Sequence, residues 1–144
     1  MAVKVQRIKL WRVEVENKPG ALAKTLAPLA GAGADLKVVM GYRYPGDETK
    51  AAIEVYPVSG KKREAAAQEA GLAQAAIPTL LVEGDDRPGL GYELSKALAD
   101  AKINISFMVA QVIGRKYSAV FGFETEADAK KASSLITKVA GKKK

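Results

Sequence analysis

The 144-residue sequence predicts an α+β fold of two tandem ferredoxin-like units, each a βαββαβ string forming an antiparallel sheet with helices packed on one face. Three observations lead there. Apolar residues alternate with period 2 in some stretches and recur at helical spacing in others, in the order strand–helix–strand–strand–helix, twice over. The segment Asn17-Lys18-Pro19-Gly20 returns as Asp86-Arg87-Pro88-Gly89, and the two copies align without gaps at an offset of 69 residues, from Ile8/Ile77 to Leu36/Ile105. Such fixed-period self-similarity marks a duplicated unit, here dividing the chain into 1–75 and 76–144. Units this small are marginal alone and should pack together or share a core.

In the first copy, Ile8, Leu10, Val13 and Val15, with Trp11 among them, predict a strand over about 8–16. Pro19 suits a first helical turn, where its missing N–H costs little. Leu22, Leu26, Leu29 and Gly33 follow at helical spacing, but Pro28 predicts a kink or an early stop near 24–28. Leu36, Val38 and Met40 alternate as a second strand. Tyr44-Pro45-Gly46-Asp47 reads as a type II turn into a third strand through Ala51, Ile53 and Val55. Lys61 to Gln68 is a helix stopped by Gly71, with a short fourth strand expected around 72–77.

The second copy restarts with a strand over Ile77–Gly84 that reads as more buried than its counterpart. Leu90, Leu94, Leu98 and Ala101 make a helical stripe free of proline. Ile103, Ile105, Phe107 and Val109 alternate as a strand, Gly114-Arg115 suits a two-residue hairpin, and Tyr117–Phe123 returns. Thr125-Glu126-Ala127-Asp128 caps a last helix ending near Gly141. This copy runs out of residues before a fourth strand, and Val3–Val5 is the segment expected to fill that edge.

Composition narrows the chemistry. With no cysteine and no histidine, the sequence excludes disulfides, thiolate chemistry, Cys/His zinc sites and histidine acid–base catalysis. No catalytic group, metal ligand set or cofactor is expected. No apolar run approaches the roughly 18 residues of a membrane span, and the N-terminus lacks a signal-peptide core, so the reading is cytoplasmic with no membrane partner. The net charge of +7 is dispersed over both copies, and Lys142-Lys143-Lys144 is the one single-sign run, read as a solvated tail.

The repeated turn carries the interesting chemistry. A glycine after a strand lets backbone approach a ligand, and the helix that follows opens with free N–H groups and partial positive charge, which suit a carboxylate or phosphate. Asn17 or Asp86 adds a fixed polar group at the same spot, and Lys18 or Arg87 a cation that is either exposed or turned to a ligand carboxylate. A second polar position, Asp35 or Asn104, stands at the entry to the next strand, either as a turn-former or as a ligand contact.

Asn17-Lys18-Pro19-Gly20-Ala21-Leu22, continuing through Leu29, Gly33 and Asp35-Leu36, resembles the ACT-domain pattern. Asp86-Arg87-Pro88-Gly89-Leu90, continuing through Leu98, Ala101 and Ile103-Asn104-Ile105, resembles it more closely. The resemblance implies a non-catalytic regulatory protein that binds an amino acid where two ACT units pair. The implied ligand-binding residues are Asn17, Lys18, Pro19, Gly20, Ala21, Leu22, Asp35 and Leu36 in one copy. In the other they are Asp86, Arg87, Pro88, Gly89, Leu90, Gly91, Asn104 and Ile105. Pairing across copies would join Asn17 with Asn104 in a neutral site and Asp86 with Asp35 in an acidic one. The neutral site is the better expected host for an amino-acid carboxylate. The resemblance further implies a homodimer. The alternative it allows is a regulatory subunit of a larger amino-acid biosynthetic enzyme, for example of the branched-chain pathway, a role that Trp11 at an interface or an exposed apolar surface would favour. Val15 and Gly84 stand where some members carry a histidine, Lys102 where the first copy has Gly33, and Gly91 where it has Leu22.

RNA binding by the same topology needs stacking rings on the third strand. Ser118 and Val120 stand at those positions, so nucleic acid is disfavoured. Asp85 and Asp86 are neighbours in an extended segment and point in opposite directions, which argues against a paired-carboxylate enzyme.

Overall fold

The computed structural model describes residues 3–141; the Lys142–Lys144 run lies outside them. The chain divides into two compact units, residues 9–76 (the first unit) and residues 77 onward together with the segment up to Ile8 (the second unit).

The first unit runs β2 (Trp11–Glu16), α1 (Ala21–Gly31), β3 (Val38–Tyr44), β4 (Asp47–Tyr56), α2 (Lys61–Glu69) and β5 (Ala73–Gln74), following β1 (Lys4–Ile8) in the chain. Its antiparallel sheet has the order β3-β4-β2-β5. Trp11, Ile53 and Val55 from the sheet meet Leu29 and Ala32 at the end of α1, and Ala66 and Ala67 of α2. Trp11 is therefore a core residue and presents no surface to a partner. The small alanines of α2 let that helix lie close to the sheet.

Pro28 corrects the reading of α1. The helix passes through it and ends at Gly31, with Ala32 N–H bonding back to the Pro28 and Leu29 carbonyls. The bond that proline removes would reach Lys24, an exposed residue whose carbonyl water can serve, and the loss falls close to the helix end. The second strand also begins at Val38, two residues later than the alternation suggests. Leu36 lies before it, packed against the core.

The second unit runs β6 (Thr79–Asp85), α3 (Leu90–Asp100), β7 (Ile105–Ile113), β8 (Lys116–Phe123) and α4 (Glu126–Ala140), and its sheet has the order β1-β6-β8-β7. The missing fourth strand is β1, which pairs antiparallel with β6 from Lys4↔Glu83 to Ile8↔Thr79. Leu90, Leu94 and Leu98 all face inward and pack with Phe121, Phe123, Ala132 and Ile136. The Thr125 hydroxyl accepts the Asp128 N–H at 3.0 Å and caps α4. Each unit is thus a βαββαβ-like sheet with helices on one face.

Candidate ligand site at the strand-to-helix loops

In the first unit, β2 ends at Glu16 and the chain turns through Asn17–Gly20 into α1. Asn17 anchors the turn to the β3–β4 hairpin: its N–H bonds to the Thr49 carbonyl at 2.9 Å and its side-chain amide to the Glu48 carbonyl at 2.8 Å. Gly20 then takes a left-handed conformation (φ 89°) as the N-cap, with no side chain capping α1 and no acidic residue in its first turn. A β-carbon there would meet open space, so the positive φ is what calls for glycine. The Ala21 N–H turns back to the Lys18 carbonyl at 3.3 Å, and the helix start carries the partial positive charge of its dipole.

A cavity of about 240 Å³ opens against this turn. Asn17, Lys18, Ala21 and Leu22 line it from the loop and α1, Gly41, Tyr42 and Arg43 from β3, and Ala51 to Ile53 from β4. Four of the residues expected at the first site are brought together here; Asp35 and Leu36 are not among the lining residues. Asp35 is exposed between α1 and β3. On the other side of the α1 N-terminus lies a larger depression, about 620 Å³, that shares Lys18 and Ala21 and extends to Lys24, Pro28 and Glu69. The smaller cavity is the one that holds the anchored Asn17 together with residues of β3 and β4.

The corresponding turn of the second unit is built alike and dressed differently. The Asp86 N–H bonds to the Arg115 carbonyl at 2.9 Å, and Gly89 is again a left-handed N-cap (φ 81°). Arg87, however, folds onto protein. It pairs with Glu93 at 2.9 Å and reaches the Val139 carbonyl at 2.9 Å, at the C-terminal end of α4, where a cation complements the helix dipole. Asn104 donates to Glu124 Oε1 at 3.1 Å just before β7. Pro88, Leu90, Gly91 and Ile105 surround the turn and the strand entry, with Leu90 in the core.

No family model and no curated protein sequence matches the chain. Solved structures do resemble it in three dimensions. Protein BT0572 from Bacteroides thetaiotaomicron superposes with a TM-score of 0.74 at 14% identity, over 89% of this chain and 87% of that one. The ligand-free regulatory subunit of aspartate kinase from Thermus thermophilus gives 0.63 at 16% identity, over 96% and 97%. The regulatory subunit of aspartate kinase from Thermus flavus gives 0.59 at 17% identity, over 97% of each chain. The chain has a tandem ACT-type fold.

The ACT-type frame also holds functional groups that sequence periodicity passed over. On β3, Tyr42 and Tyr44 stack with ring centroids 6.4 Å apart. Arg12 lies over the Tyr44 ring at 5.7 Å and donates to its hydroxyl, which in turn donates to Glu14 Oε2 at 2.7 Å. Tyr42 donates to the buried Glu54 at 2.9 Å. Burial, and then the Glu54 carboxylate, push the Tyr42 hydroxyl above its ordinary pKa, while the hydrogen bond from Tyr44 and then Lys50 hold Glu14 below its own. Burial works against the charge on Arg12, but its bonds to the two tyrosines outweigh that and raise its pKa. Cross-strand register brings these groups together, and register is not written in local sequence. Among the described residues there is no cluster of carboxylates able to hold a metal, and no helix is long and apolar enough to cross a membrane.

Proposed function

We propose that this chain is a non-catalytic regulatory protein that binds a free amino acid at the Asn17–Leu22 turn. The observation that carries the reading is the cavity of about 240 Å³ at an uncapped helix N-terminus. It falls just below the usual range of about 300–1,000 Å³ for drug-sized ligands, which fits a small metabolite. An amino acid needs donors for its carboxylate and acceptors for its ammonium. The α1 N–H groups, Lys18 and Arg43 supply the first, Glu16 and nearby backbone carbonyls the second, and Leu22 and Ile53 an apolar wall for a side chain.

The test is a thermal-shift screen against the twenty amino acids. A ligand at a hundred times its Kd adds about 2.7 kcal/mol, a rise of several degrees for a chain of this size. Asn17→Ala should abolish most of that rise. A wild-type chain that no amino acid stabilises would remove the reading.

A second reading, as regulatory subunit or homodimer, is favoured by one observation. Strand β7 is an outer strand, and it exposes Met108, Val109, Val112 and Ile113, the last with 68% of its surface free. A long apolar edge of this kind invites another strand. The likeness to aspartate kinase regulatory subunits supports an enzyme of amino-acid biosynthesis as the partner class. Stoichiometric co-purification with such an enzyme would favour that partner, and a self-paired chain the dimer.

A further inference from the structure

We propose that Tyr117 is a built-in plug, filling in the second unit the space that the first unit leaves open, so that the chain takes an amino acid at the Asn17 turn alone. This rests on the ligand reading of that turn given above. The comparison comes from strand register. Val15 and Gly84 are equivalent by the repeat; Val15 pairs with Ala51, whereas Gly84 pairs with Tyr117. Arg43 and Val112, the next strand over, pair with the same two residues, so the equivalence of Ala51 and Tyr117 holds from both sides. A methyl group lining a cavity in one unit thus corresponds to a phenol ring in the other.

The ring is 5% exposed and belongs to the core of its unit together with Leu90 and Val82. Its hydroxyl is buried and has no hydrogen-bond partner. An oxygen without accessible surface has no water-sized space beside it, so neither water nor ligand has room there. A buried unpaired hydroxyl is a cost, and packing the ring into that space is what offsets it. The surrounding turn agrees. Arg87 is committed to Glu93 and the end of α4, Glu93 already sets a carboxylate in the first turn of α3, and Gly91 replaces the apolar Leu22. Burial, and then the charge on Asp86, raise the pKa of the Tyr117 hydroxyl, as expected for a phenol held dry beside that turn.

The experiment is a backbone-amide NMR titration of the whole chain with an equimolar mixture of the twenty amino acids, alongside melting temperatures of Tyr117→Phe and Ala51→Tyr. The expected result is movement of the amides of 17–22 with those of 86–91 still, and at least a tenfold loss of affinity in Ala51→Tyr. Tyr117→Phe should melt at the wild-type temperature or above it, since it keeps the ring and drops the unpaired hydroxyl. Comparable saturation of 86–91 would overturn the plug, and so would a fall of several degrees in Tyr117→Phe. Should no amide move in either turn, the amino-acid reading fails and the melting temperatures decide the plug alone. Ala51→Tyr must then fold without loss, its ring seated in the first unit's cavity, and a destabilised Ala51→Tyr refutes the equivalence.

Discussion

Lys102 holds a left-handed backbone at φ 61°, the one described non-glycine residue with positive φ, where the first unit has Gly33 at φ 74°. A β-branch-free lysine tolerates this, but any L-residue there pays roughly 1–2 kcal/mol. Lys102→Gly relieves that strain and gives back about 0.5–1 kcal/mol through the freer unfolded chain. The net expectation is a gain of about 0.5–1 kcal/mol, read as a modestly higher midpoint in urea with an unchanged slope. A lower midpoint would mean that the Lys102 side chain holds the turn. The position also explains why the repeat breaks here in sequence and not in structure: the bend is required, glycine is only the cheapest way to make it.

Among the elements, β1 tells most about how the sheet of the second unit is completed. Val5 packs against the core of the second unit, and Ile8, on the opposite face of the strand, is also buried, while the ladder runs from Lys4 to Ile8 along β6. Removing residues 1–6 keeps the buried Ile8 but strips the ladder's outer part and the apolar contact of Val5. We expect a loss of about 2–4 kcal/mol and faster amide exchange over 81–83; unchanged exchange would deny β1 its place in the sheet. The alternations and turn residues made most strands and helices legible, because those signals are local. What escaped was non-local. Pro28 was read by its general effect on helices, although its position near the end makes the effect small. The Tyr117–Ala51 equivalence is hidden because the simple offset matches Tyr117 with Glu48. The register shift in the β3–β4 hairpin displaces the two hairpins against each other, and only the pairing reveals it. The Arg12–Tyr44–Glu14 and Tyr42–Glu54 contacts depend on the same cross-strand register.

At the scale of the whole molecule, the exposed β7 edge is the feature with consequences for assembly. Backbone groups along an outer strand are satisfied either by water or by another strand, and the apolar side chains of Val109 and Ile113 add a reason to prefer protein. Val109→Lys combined with Ile113→Lys should leave the melting temperature of the chain nearly unchanged, since both residues are about half exposed or more. The same pair should shift the mass measured by light scattering from dimer to monomer. A wild-type chain that is already monomeric at high concentration would leave the edge to a different protein. The dispersed charge of +7 favours neither outcome, so the assignment rests on the edge.

The pairing of β1 with β6 also sets a timetable. On the ribosome, residues 4–8 are made before the first unit, yet their partner strand is made only after the whole of that unit has followed. At roughly 5–20 residues per second, that delay lasts on the order of several seconds. By its end the first unit, residues 9–76, has everything it needs to fold, while residues 4–8 still lack their partner strand. The sheet of the second unit therefore includes a pair that spans the whole of the first, its oldest strand joining only once β6 has been made.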